Sequence, residues 1–81
     1  MPRPNFMFLI NNELEDKSIT TVFIGCSSSK NFKGHRMTRQ SFLRIMDKQL
    51  CDSIMNIYVF QDTLYVDMLF ASVGMLECLT A

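Results

Sequence analysis

The stretch "NIYVFQDTLYVDMLF", residues 56–70, decides how the chain is read. Two runs rich in β-branched and aromatic residues flank Gln61-Asp62-Thr63, a polar connection suited to a tight hairpin. Strand side chains alternate between faces. Ile57, Val59, Leu64, Val66 and Met68 therefore share one face, and Tyr58, Phe60, Tyr65 and Leu69 share the other. Both faces are apolar, so a layer packed on one of them leaves the second in need of cover.

Immediately upstream the period changes. In "TRQSFLRIMDKQLCDSIM", residues 38–55, the apolar positions Phe42, Leu43, Met46, Leu50, Ile54 and Met55 recur at helical spacing. Thr38 is the expected N-cap, with Met37 and Phe42 at the positions of a hydrophobic staple. Ser41 stands where a capping box would need Glu or Gln, so the start rests on the threonine alone.

Toward the N-terminus, "ITTVFIG" (residues 19–25) has strand composition, and "NFMFLI" (residues 5–10) alternates with Phe6, Phe8 and Ile10 on one face. With the polar "NNELEDKS" between them, residues 5–25 read as a hairpin. At the other end Gly74 reads as a turn, followed by a fifth strand in preference to a short helix. The expected fold is a single α+β domain over residues 1–81. It has an antiparallel sheet of four or five strands with one main helix on one face, in the order β-β-α-β-β plus a final strand or short helix.

A chain of 81 residues buries only about 60–65% of the surface its unfolded form exposes, so the core is thin. With 48% hydrophobic and 20% charged residues the composition is that of a folded domain, not a disordered tail. Seven methionines serve as filler for a small core or as adaptable contacts. Eight basic and eight acidic residues cancel, which argues against an indiscriminate nucleic-acid binder. The charges are segregated all the same. Between Lys17 and Ile45 there are bases and no acid, and beyond Met46 acids predominate.

Chemical motifs fail on spacing. A P-loop starting at Gly25 would need glycine at residue 30, which is Lys30, and a cysteine-phosphatase loop from Cys26 would need arginine at residue 32, which is Phe32. Cys26 and His35 make only a weak nucleophilic pair, and a strand-end cysteine with a solvated loop histidine is the preferred reading of them. Three scattered cysteines without a CxxC pair imply neither a disulfide framework nor zinc. Neither metal nor cofactor is expected, and no enzyme activity. The opening "MPRPNFMFLINNELED" lacks a secretory pattern and no run approaches the length of a membrane span, so a soluble, reducing, cytoplasmic setting is expected.

Two features point to binding. "GCSSSKNFKGHRMTRQ", residues 25–40, joins a strand to the helix start and gathers Lys30, Lys33, Arg36 and Arg39, followed by Arg44 in the helix. Positive charge there suits a phosphate backbone, an acidic protein or a carboxylate, and Phe32 offers a ring to stack on. A mobile polar connection is the plainer reading of the same residues. The second feature is the apolar face carrying Tyr58, Phe60, Tyr65 and Leu69, a candidate interface with a protein or a second copy. The sequence expectation is thus a non-catalytic interaction module or inhibitor-like accessory protein with a protein partner. Homodimerisation is compatible with it, and nucleic-acid binding through Lys30 to Arg44 is the alternative.

Overall fold

The strands on either side of Gln61-Asp62 form one side of the sheet. In the computed structural model, which describes residues 2–69, β3 (Ile54–Phe60) and β4 (Thr63–Met68) pair antiparallel with Phe60 opposite Thr63. Gln61-Asp62 makes the two-residue turn. Gln61 has a φ of 55°, the left-handed value that lets a two-residue turn follow the strand twist. Near the start of β3 the register shifts between Ile54 and Asn56, a bulge at Met55. One inserted residue reverses the parity, which is why Ile54 and Ile57, three apart, both face the core.

The other two strands are β1 (Thr21–Gly25) and β2 (His35–Thr38), paired antiparallel. The sheet order is β2-β1-β4-β3, and β1 lies parallel to β4 in the centre. Two hairpins therefore sit side by side in a mixed, mostly antiparallel sheet. A parallel pair needs a long crossover. Here the crossover contains β2, two short helices and β3.

The α+β class and the β-β-α-β-β order hold, but the segments filling the first two strand positions differ from those expected. "NFMFLI" is not a strand. It opens α1 (Phe6–Leu14), capped by Asn5, whose side chain accepts a hydrogen bond from the Phe8 N–H at 3.1 Å. Phe6, Ile10 and Leu14 are buried at a spacing of four, a stripe that runs through the two asparagines, whereas Phe8 is 66% exposed. The alternation of Phe6, Phe8 and Ile10 was a sample of helical periodicity cut short at Asn11. The second strand position is taken instead by β2, inside the basic stretch.

The helix expected over residues 38–55 is two helices, α2 (Arg39–Ile45) and α3 (Lys48–Asp52). Thr38 caps α2 as expected, its Oγ1 accepting from the Ser41 N–H at 3.1 Å. The break falls at Asp47, which is extended and caps α3 by accepting from the Leu50 N–H at 2.9 Å. A short acidic side chain that can bond its own downstream backbone competes with helix continuation. Ile54 and Met55, assigned to the helical stripe by spacing, belong to β3, and Leu43 faces outward. The expected fifth strand or terminal helix lies outside the described residues.

One hydrophobic cluster joins the helices to a single face of the sheet. Phe6, Ile10, Phe42 and Leu50 pack over Val22, Ile24, Leu64 and Val66. Two arginines fasten this layer. Arg3 lies over the Phe6 ring at 5.5 Å and donates to the carbonyls of Cys51, Asp52 and Ile54. Arg39 donates to the carbonyls of Leu14, Asp16 and Ile19, closing the end of α1.

Asp62 fastens the hairpin turn to β1. Its carboxylate accepts from Thr63 and Thr20 hydroxyls, both at 3.0 Å, and its carbonyl from the Thr20 N–H at 2.9 Å. The Thr63 bond, then the Thr20 bond, holds its carboxyl below the ordinary value of 3.8. Asp16 is lowered in the same way by the Ser18 hydroxyl and N–H. Both groups bind protons less readily in the folded chain than in the unfolded one. Their stabilisation is therefore present above the ordinary carboxylate range and is lost as pH falls through the folded values. The melting temperature is expected to be level near neutrality and to fall below about pH 4, less steeply in an Asp16→Asn/Asp62→Asn variant, as followed by circular dichroism.

Candidate binding face

The sheet face turned away from the helices is built by register. Arg36 of β2 pairs with Phe23 of β1, Phe23 with Tyr65 of β4, and Tyr65 with Tyr58 of β3. These four side chains form a row across all four strands. Tyr58 and Tyr65 stack at 4.8 Å with 6° between their planes, and Phe23 meets Tyr65 at 5.7 Å, tilted by 50°. The Arg36 guanidinium lies 5.4 Å from the Phe23 ring centre, a cation–π contact ending the row in positive charge. Phe60, Thr63, Thr21 and Thr38 form the neighbouring row.

On the other side of the aromatic row, the pairing of β1 with β4 ends at Gly25 and Asp67. There a cleft of about 480 Å³ opens, with Phe23, Tyr58 and Tyr65 at one wall and Phe32, Lys33 and Gly34 at the other. It lies at the carboxyl ends of parallel strands, where diverging connections leave a crevice. Asp67 holds the loop that walls the cleft, accepting from the Ser27 N–H at 2.8 Å and the Ser27 hydroxyl at 2.6 Å. Gly34 presses its backbone against the Phe23 ring.

The candidate site residues divide accordingly. Tyr58, Phe60 and Tyr65 come together on the open face, and Leu69 follows the end of β4, exposed, its N–H bonded to the Ser53 carbonyl. Arg36 joins them, and Lys33 and Phe32 line the cleft beside them. Phe32 is half-buried, packs against the core and meets His35 at 5.7 Å, so its ring is not held out for a ligand. Lys30 is exposed in the same connection.

Arg39 is removed from the basic strip by its three carbonyl contacts, and Arg44 lies in the last turn of α2, in the helical layer. Phe23 was missed as a site residue. Its place between Arg36 and Tyr65 depends on the parallel pairing of β1 with β4, which no local pattern announces.

Little reactive chemistry is assembled here. Cys26 is buried with its Sγ 3.1 Å from the Ser28 hydroxyl, and His35 turns to Phe32. Burial raises the Cys51 thiol above its ordinary value, so it stays protonated near neutral pH. Among the described residues no three His, Cys, Asp or Glu side chains are grouped to hold a metal ion, and no helix is long and apolar enough to cross a membrane.

The fold and the face define a small α+β domain with a mixed four-stranded sheet, one side of it covered by helices. Comparison with family models, curated proteins and solved structures finds no match to this chain.

Proposed function

We propose that this is a non-catalytic interaction module that binds another protein through the open sheet face. The observation that carries the reading is the row Tyr58, Tyr65, Phe23 and Arg36 spanning the sheet opposite the helices. Tyrosine, phenylalanine and arginine are the residue types that anchor protein interfaces, because each covers a large area at small cost in conformational entropy or adds directional polar contacts. The cleft beside the row gives a partner side chain somewhere to seat. Two buried free cysteines, Cys26 and Cys51, fit work in a reducing compartment.

A single-stranded nucleic acid is the second reading, favoured by Lys33 and Arg36 at the basic end of the row. The ring geometry favours a protein. A base needs a free aromatic face, and the row offers few: Tyr65 lies between Tyr58 and Phe23, and Phe23 is covered by Arg36 and Gly34, which leaves the outer face of Tyr58. Neutral total charge also leaves little non-specific attraction to a polyanion.

The test compares wild type with Arg36→Glu, Tyr65→Ala and Leu43→Ser, the last an exposed position on α2. A protein captured from the native host by wild type and Leu43→Ser, and lost with Arg36→Glu and Tyr65→Ala while both remain folded, supports the face. Capture that ignores both face variants rejects it. Titration with single-stranded DNA and RNA at two salt concentrations separates the readings, since salt-sensitive binding lost in Arg36→Glu would favour nucleic acid.

A further inference from the structure

The chain leaves the two central strands in opposite directions. After β1 it crosses to β2, and after β4 it turns to the β3 side, where the Leu69 N–H bonds the Ser53 carbonyl at 2.9 Å. Parallel neighbours whose continuations diverge leave a crevice beyond their carboxyl ends, the place where ligands sit in larger α/β sheets. The cleft beside the aromatic row is that crevice. Its volume of about 480 Å³ falls in the range of small-molecule sites, and its walls are mostly apolar. Gly25 lies in its floor, so at that position only backbone separates a ligand from the sheet.

The walls select by charge. Tyr58 and Tyr65 lie parallel, 6° apart, so they spend ring faces on each other and turn ring edges to the cleft. Those edges carry the positive part of the aromatic quadrupole. On the facing wall Lys33 is exposed and has no hydrogen-bond or ion-pair partner among the described residues. Asp67 is the one acid among the described residues around the cleft, and both its carboxylate oxygens already accept from Ser27. Its charge serves the loop, whereas that of Lys33 is unanswered.

We infer that the cleft binds a small aromatic carboxylate. The ligand ring would present its π face to the tyrosine edges, the T-shaped arrangement that aromatic pairs favour, while its carboxylate meets the Lys33 ammonium. One lysine matches one carboxylate. A dianionic phosphate would leave a charge unmatched near Asp67, and an aromatic amine would meet Lys33 with like charge. Such a ligand needs only this chain, so the inference goes beyond the protein-binding reading and is tested without a partner.

Benzoate titrated into the full chain and followed by NMR makes the test. Tyr58 and Tyr65 are the only tyrosines, so tyrosine ring signals report on this cleft alone. Benzoate should shift them, and the Gly25 and Gly34 amides, saturably, with a dissociation constant in the millimolar range of so small a fragment. Benzyl alcohol and benzylamine keep the ring without the negative charge and should bind more weakly by about fivefold or more. Lys33→Gln should lower benzoate affinity by about the same factor and leave benzyl alcohol unchanged. Lys30→Gln, in the same connection but outside the cleft, should match wild type. The absence of a saturable shift overturns the proposal. Benzyl alcohol or benzylamine binding as tightly as benzoate also overturns it, because the site then does not select negative charge. Benzoate binding that ignores Lys33→Gln overturns it too, since the carboxylate then lies elsewhere. None of these results bears on capture of a protein by the open face, which the face variants above test separately.

Discussion

Replacing Phe42 with alanine should cost about 3–5 kcal/mol of folding stability. Phe42 has 0% exposure and is the largest of the fully buried side chains. It sits at the fourth position of α2, after the Thr38 cap, and belongs to the cluster that joins the helices to the sheet. Truncation would lose the transfer energy of the ring and leave a cavity that neighbours from β1 and β4 cannot fill without breaking strand pairing. A domain of 81 residues has only about 4–12 kcal/mol to lose. The variant is therefore expected to be largely unfolded or to melt at sharply reduced temperature. Leu43, the next residue, is 46% exposed, and Leu43→Ala should change stability by less than about 0.5 kcal/mol. Urea denaturation of the two variants makes the comparison, and equal effects would contradict the way α2 is oriented.

Gly34→Ala is expected to destabilise the fold by about 1–3 kcal/mol and to weaken partner binding as well. Two costs combine. Gly34 has a φ of +76°, a conformation that costs a residue with a Cβ about 1 kcal/mol or more. The added carbon would also lie 2.3 Å from Cζ of Phe23 and 2.8 Å from its Cε1, far inside contact distance. The ring must then move, and it is the link between Arg36 and Tyr65 in the aromatic row. A variant at this position therefore connects fold to site. Thermal melting reads the first effect and affinity for the captured partner the second. Wild-type affinity in a destabilised Gly34→Ala protein would show that Phe23 does not contribute to the binding surface.

Where the sequence was misread, the local signal was ambiguous and long-range contacts resolved it. "NFMFLI" satisfies strand alternation over six residues, and its helical stripe appears only when Leu14 is included, beyond two polar asparagines. Residues 38–55 satisfy one long helical stripe, and what divides them is a single capping side chain, Asp47, together with the demand of the sheet for Ile54. β2 has no apolar alternation to announce it. "HRMT" becomes a strand because β1 offers it a partner, with Phe23 beneath Arg36.

The candidate site was legible in the same uneven way. Tyr58, Phe60 and Tyr65 could be grouped from parity alone, because they lie on two strands joined by a tight turn. Phe23 and Arg36 could not, since their neighbours come from distant parts of the chain. Arg39 and Arg44 looked equivalent to Arg36 in a list of charges, yet one holds three carbonyls and the other lies on α2.

By itself, then, the sequence determined what depends on near neighbours. It specified the α+β class, the hairpin around Gln61-Asp62-Thr63 with its two faces, a strand within residues 19–25, the Thr38 cap and the failure of the catalytic motifs tested on spacing. Such features follow from side-chain period, turn chemistry and backbone capping, all of which act over a few residues. Only the tertiary structure decided that β1 lies parallel to β4, that the helices cover one face, and that an aromatic row ending in Arg36 crosses the other. Those are contacts between residues distant in sequence, chosen by which arrangement buries the most apolar surface while leaving few backbone groups unpaired, and no local pattern encodes that choice.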